Sequence, residues 1–143
     1  MGDTGQVIIF PTREDIVRLN RYHIESTGGT YSGGDNLRSS GSLEWVLDAI
    51  QYPLFGIDRY PTVVEKAAKL SWIISAGHIF HDGNKRTGTS VLMIFLQTNG
   101  YRLKATHEEI INIIIRISSP DKAKYPYEDY VEWIRSKIVL VNK

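Results

Sequence analysis

Apolar residues recur at helical spacing through most of this chain. Thr12 reads as an N-cap answered by Asp15 three residues on, a variant of the capping box. Behind it, Ile16, Val17, Leu19, Tyr22 and Ile24 mark a first helix. Periodicity then stops. Residues 26–42, STGGTYSGGDNLRSSGS, are rich in glycine and serine and read as a surface loop, long enough to carry function or to serve as a plain connector. Leu43, Val46, Leu47 and Ile50 mark a short second helix. Two prolines and a glycine bar a helix from YPLFGIDRYPT, residues 52–62, and its aromatics favour an extended or hairpin segment. Val63, Ala67, Leu70, Ile74 and His78 then fall three or four apart, which predicts a helix over 62–78 with His78 continuing its core-facing stripe.

A further helix is predicted over 87–99. Its middle, VLMIFL, is apolar all round and marks it as central and buried, with Gly100 as a natural stop. Thr106 and Glu109 form another capping box ahead of INIIIRI, and Pro120 and Pro126 bracket a loop. Tyr130, Val131, Ile134, Ile138 and Val141 place a last helix over 127–141. No repeat and no internal boundary interrupts the pattern. The reading is a single all-α domain over 1–143, with a small β-hairpin near residue 55.

Composition narrows the function classes. The 143 residues hold 17 basic and 16 acidic side chains and no cysteine. Disulfides and thiolate chemistry are excluded, and general binding to nucleic acid or to a membrane surface is not expected. The first residues, MGDTGQVIIFPTRED, lack the pattern of a signal peptide. No apolar run approaches the ~18 residues of a membrane span. The expectation is a soluble cytoplasmic domain.

One stretch breaks the apolar pattern with chemistry. Residues 78–88 read HIFHDGNKRTG and join two predicted core helices. Gly83 lets the backbone turn where a Cβ would clash. The unpaired N–H groups opening the next helix, with the helix dipole, make an anion site, and Lys85 and Arg86 add positive charge there. A phosphate is the natural guest. Asp82 beside a phosphate suits Mg²⁺, which usually takes one carboxylate together with phosphate oxygens and water. His78 closes the preceding helix within reach of the same space, and histidine ordinarily titrates near ~6.5, suitable for a general base. Base, metal carboxylate and phosphate cradle are the parts that phosphoryl or nucleotidyl transfer needs. Singly, each residue has a plainer reading: a capping histidine, an Asp-Gly turn, a solvated Lys-Arg pair. The stretch is not a Walker A loop, because GxxxxGK[ST] is absent.

HIFHDGNKRTG resembles the signature of the Fic/Doc superfamily, histidine-x-phenylalanine-x-acid-glycine-asparagine-glycine-arginine-x-x-arginine. His78, Phe80, Asp82, Gly83, Asn84 and Arg86 match in type and spacing. Lys85 replaces the second glycine and Thr89 the final arginine, and both departures resemble the death-on-curing (Doc) branch. The double-glycine loop, the Pro-Leu-Phe-Gly segment, EKAAKL and FLQTNGYRL extend the likeness over roughly residues 12–104. The resemblance implies that His78 is the general base on a target hydroxyl and that Asp82 holds Mg²⁺. It implies that the backbone from Gly83 onward, with Asn84, Lys85 and Arg86, cradles ATP phosphates, with Phe80 a buried anchor. His81, at a variable family position, reads as an exposed loop residue. The implied activity is a toxin that moves the γ-phosphoryl group of ATP to a Ser or Thr hydroxyl of a protein in the translation machinery, an elongation factor, and arrests growth. Residues 52–62 correspond to the family's substrate flap and would dock a target strand.

Three rival readings stand beside it. A Fic-type protein adenylyltransferase shares the motif. An HD-type metal phosphohydrolase would use His81-Asp82, but needs an earlier histidine and a later aspartate, of which His23, His78 and Asp121 are the candidates. An inactive binding module would need none of His78, Asp82 and Asn84. Some Fic proteins carry an inhibitory [ST]-x-x-x-E-[GN] helix. The nearest look-alike here, Ser40 to Glu44, is followed by Trp45. A separate antitoxin protein is therefore the expected silencing partner.

Overall fold

The computed structural model describes residues 7–119 and 125–141. Among them the chain is the compact helical domain expected: α1 (Arg13–Thr27), α2 (Ser40–Gln51), α3 (Val63–Ala76), α4 (Asn84–Thr98), α5 (His107–Ile117) and α6 (Tyr127–Lys137). Two short strands, β1 (Tyr101–Leu103) and β2 (Ile138–Leu140), complete it. Capping boxes at Thr12–Asp15, Thr62–Glu65 and Thr106–Glu109 open α1, α3 and α5. Each gives side-chain partners to N–H groups that the helix start would leave unpaired.

Helices α3 and α4 form the most extensive helix pair. Helices α2 and α6 pack on α3, while α1 and α5 pack on α4. Leu70, Ile74, Leu92 and Leu96 are wholly buried at this centre. Tyr130 is buried too, and its hydroxyl meets Ser71 Oγ at 2.6 Å. Gly88 lets α4 pack closely on α3, because a Cβ there would lie 1.8 Å from Ser75 Oγ.

Several expectations are corrected. Helix α3 ends at Ala76, not at residue 78. The Gly77 N–H closes it on Ile73 O at 2.8 Å, and a Cβ at Gly77 would lie 2.4 Å from that same oxygen. His78 follows with a left-handed φ of 54° and is exposed, so it does not continue the core stripe. The helical spacing had been carried across a glycine stop. Helix α4 begins at Asn84 rather than 87. It is central, but Met93 and Ile94 are 37% and 43% exposed, so it is not buried all round. The last helix stops at Lys137, not 141. Ile138, Val139 and Leu140 instead pair antiparallel with Leu103, Arg102 and Tyr101. Branched residues suit either state, and the waiting partner strand decides.

The hairpin near residue 55 is reduced to a single bridge. Leu54 and Ile57 exchange two backbone bonds of 2.9 Å around Phe55 (φ 52°) and Gly56 (φ 77°), the left-handed pair of a tight hairpin turn. Helix ends at Thr27 and Ser40 shorten the glycine/serine loop to residues 28–39. Pro120 and Asp121 lie outside the described residues. No helix among the described residues is long and apolar enough to cross a membrane.

Candidate active site

The motif is anchored by its apolar members. Ile79 and Phe80 are wholly buried, which makes Phe80 the floor of the turn. Ile79 O accepts the N–H groups of Arg38 at 2.8 Å and Ser39 at 3.0 Å, and the His81 N–H donates to Asn36 O at 3.0 Å. Phe80 bridges Leu37 between these bonds. The glycine/serine loop is thereby stitched along the motif.

Gly83 is the N-cap of α4 with a left-handed φ of 77°, and no side chain caps the helix. Its carbonyl accepts the Thr87 N–H at 2.9 Å. Helix geometry leaves the N–H groups of Asn84, Lys85 and Arg86 without an intrahelical acceptor, and the dipole adds positive potential. The Asn84 side chain braces the turn instead of facing a ligand. Its Oδ1 accepts the Phe80 N–H at 2.8 Å and its Nδ2 donates to Phe80 O at 2.9 Å. Its backbone N–H and the second N–H of Nδ2 remain to offer an anion.

These groups border a cleft of about 470 Å³ between the start of α4 and α5. His78, Asp82, Gly83, Asn84, Lys85 and Arg86 all line it, so the structure brings these six predicted site residues together. Ile111, Ile114 and Ile115 form an apolar wall. Exposed His81 sits at the rim, as expected.

Asp82 is held by two amides: Oδ2 accepts the Thr30 N–H at 2.8 Å and Oδ1 the Gly83 N–H at 2.7 Å. These bonds, Thr30's first, lower its pKa below the ordinary carboxylate value, with smaller help from Arg86 and Lys85 and against partial desolvation. The carboxylate stays ionised, and each oxygen keeps lone-pair capacity. That donor set fits Mg²⁺, a hard cation content with one carboxylate plus phosphate oxygens and water. The rival reading needs further histidine and aspartate ligands beside it. Among the described residues no three His, Cys, Asp or Glu side chains gather, and Asp121 lies outside them.

Arg86 reaches back to the end of α1, donating from Nη1 to His23 O at 3.3 Å and from Nη2 to Gly28 O at 3.2 Å. His23 is half-buried and meets Ser90 Oγ through Nε2 at 2.7 Å. Burial, then the Arg86 charge, lowers its pKa. Buried Thr89 turns its hydroxyl to Lys85 O at 2.8 Å, while Lys85 itself is exposed.

Two site residues were missed in the sequence. Asn20 and Asn36 are 0% and 1% exposed and form a buried amide pair, Asn36 Nδ2 to Asn20 Oδ1 at 3.0 Å. Asn20 Nδ2 also donates to Asp82 O at 2.8 Å and Thr87 Oγ1 at 3.1 Å. A signal existed: Ile16, Asn20 and Ile24 recur every four residues and are the buried face of α1, whereas Tyr22 is 63% exposed. A polar residue inside an apolar stripe marks a buried hydrogen-bonding task.

Known proteins were compared with the chain. A sequence model described as the Fic/DOC family matches residues 10–96, from just before α1 to near the end of α4. A curated relative named Toxin Doc, from Mycolicibacterium smegmatis, is 34% identical over 88 residues, covering 61% of this chain and 68% of the relative. The matched span holds His78, the Asp82 turn, the α4 N-terminus and the loop that braces them, and so the chain belongs to the Fic/DOC family, on its death-on-curing branch.

Proposed function

We propose that this protein is a Doc-type toxin that transfers the γ-phosphoryl group of ATP to a Ser or Thr hydroxyl of a protein in the translation machinery, an elongation factor. The observation that carries the reading is the combination of exposed Lys85 at the mouth of the anion site with buried Thr89, whose hydroxyl is turned to the Lys85 carbonyl. By resemblance, Fic-type sites have glycine at the first position and arginine at the second. That arrangement seats an α-phosphate in the loop and holds the γ-phosphate away from the base. A lysine crowds the first pose, and Thr89 offers no cation for the second. Both changes favour ATP lying reversed, with its γ-phosphate toward His78.

In this reading His78 is the general base. Its left-handed backbone conformation costs about 1–2 kcal/mol for an L-residue, and such strain clusters at functional positions. The imidazole takes the proton of the target hydroxyl as that oxygen bonds to the γ-phosphorus. The bond from phosphorus to the bridging oxygen breaks, and ADP leaves. The α4 N–H groups from Gly83 onward, with Lys85 and the unused donors of Arg86, hold the phosphates. Asp82 would hold Mg²⁺, which would supply neutralising charge to the phosphates.

Two surfaces fit the partners. Residues 52–62 present Phe55, Ile57 and Tyr52, 94%, 66% and 63% exposed. Buried Lys66 moors that loop through Asp58 at 3.1 Å and Ile50 O at 2.8 Å. Such a moored apolar loop suits docking of a target's extended backbone. A groove of about 680 Å³ between α1 and α4, lined by Leu19, Tyr22, Ile94 and Phe95 and edged by Asp15, Arg18 and Glu25, suits the amphipathic helix of a separate antitoxin. The internal look-alike is occupied elsewhere, since Glu44 pairs with Arg13 at 3.8 Å.

Expression tests the reading. The wild-type chain should arrest growth, and His78→Ala should not, because loss of a general base typically costs about 10²–10⁴-fold in rate. A His78→Ala protein that is folded and still arrests growth would refute it.

A further inference from the structure

Asp82, just before the N-cap Gly83, and Arg86, in the first turn of α4, carry opposite charges and line the same cleft, close enough for an ion pair to be the simple expectation. Here they do not pair. The ion pairs among the described residues join other partners. Three residues of the glycine/serine loop lie between them. Gly28 O accepts Arg86 Nη2 at 3.2 Å, and the Thr30 N–H donates to Asp82 Oδ2 at 2.8 Å. Gly29 sits between the two, at φ 136°. A Cβ on it would lie 2.9 Å from both Asp82 Oδ2 and Ile24 Cδ1, and 3.4 Å from Arg86 Nη2. Backbone therefore fills the gap, and each charge faces a dipole of opposite sign.

The loop is held from beneath. Asn36 Nδ2 donates to Thr30 O at 3.2 Å, and its Oδ1 accepts the Ser32 N–H at 2.8 Å. The same Nδ2 bonds Asn20, which bonds the Asp82 carbonyl. One buried amide pair thus registers the loop against the motif, and neither side chain has water to compensate a slip.

We propose that Gly28–Thr30 is a charge separator built into the active site, and that Thr30, through its amide, is a positioning residue for Asp82. The segment keeps the carboxylate available to a divalent cation and the guanidinium available to phosphate. Without it the two side chains would satisfy one another, and nucleotide would have to part them before binding. This rests on the reading that the cleft binds Mg²⁺ and ATP. It gives the glycine/serine loop a task, and it explains why the residue between the two charges has no side chain.

Thr30→Pro removes the one N–H at issue, and Thr30 keeps a negative φ, the sign proline needs. Thr30→Ala keeps the N–H and is the control. Gly29→Ala is a second variant, whose Cβ would push on both charges. Binding of ATP is titrated by calorimetry across a Mg²⁺ series, and apo thermal midpoints are recorded alongside. Thr30→Ala should match wild type. Thr30→Pro and Gly29→Ala should bind about tenfold more weakly or worse, the effect of one charge-assisted hydrogen bond. They should also need more Mg²⁺; their apo midpoints fall, because a bond to Asp82 is lost or Gly29 is strained at φ 136°, but both proteins stay folded at the titration temperature. Folded Thr30→Pro and Gly29→Ala proteins that bind like wild type would overturn the proposal. So would a large fall in midpoint with affinity unchanged, which marks a merely structural role. If wild type itself fails to bind Mg²⁺ and ATP, the nucleotide reading falls first and takes this one with it.

Discussion

Replacing Asn20 by alanine should loosen the motif from below. The side chain is fully buried and makes three hydrogen bonds: to Asp82 O at 2.8 Å, to Thr87 Oγ1 at 3.1 Å and from Asn36 Nδ2 at 3.0 Å. Alanine leaves a carbonyl, a hydroxyl and an amide without that partner. A buried unsatisfied group costs about 1–3 kcal/mol. The three losses do not simply add, because they share one network, and Asn36 Nδ2 keeps its bond to Thr30 O. A net loss of about 2–4 kcal/mol follows. That is a large part of the ~5–15 kcal/mol that holds a domain together. For a chain of this size it lowers the thermal midpoint by about 6–15 °C. Urea unfolding followed by tryptophan fluorescence reads it, since Trp72 packs on Tyr127 and Tyr130. A loss below ~1 kcal/mol, close to the scale of surface substitutions, would show that the amide pair does not brace the motif.

Two further outcomes follow from packing and charge. Gly88→Ala drives a methyl into Ser75, which costs about 1–3 kcal/mol by overpacking, offset by roughly 1 kcal/mol of helix propensity. Ser75 Oγ has no hydrogen-bond partner, so Ser75→Ala should be near neutral and should rescue Gly88→Ala; a double variant as unstable as Gly88→Ala alone contradicts this. Asp82 titrates lower folded than unfolded, so its stabilisation is present above the unfolded value of about 3.9 and is lost as pH falls through the folded value. The gap in apo thermal midpoint between wild type and Asp82→Asn should therefore shrink from pH 6 to pH 3, and a constant gap would argue against the two amide bonds to Asp82.

Local rules make much of this molecule legible in its sequence. Thr12 and Thr106 cap helices because a short polar side chain followed three residues later by an acid satisfies the first turn, whatever surrounds it; Thr62, not singled out in the sequence, obeys the same rule. The motif residues meet in one cleft because they lie within nine consecutive residues, so a single turn gathers them. What failed needed partners distant in sequence. Ile138 and Val139 become strand because Leu103 and Arg102 lie alongside them. Asn36 is 16 residues from Asn20, and Thr30 is 52 from Asp82, so no periodicity links them. His78 was misplaced for a local reason: Gly77 ends α3 one residue before it. The difference concerns both the helix end and the burial of His78, which stands exposed at the cleft.

The central claim concerns which phosphate of ATP is transferred, and isotope placement tests it directly. The purified protein is incubated with target-containing lysate, Mg²⁺ and ATP labelled at the α-position or, separately, at the γ-position. Phosphoryl transfer with ADP leaving predicts labelled protein from γ-ATP alone, and none when Lys85 and Thr89 are intact but His78 is alanine. Label entering protein from α-ATP would mean adenylyl transfer, and would contradict the reversed nucleotide inferred from Lys85 and Thr89.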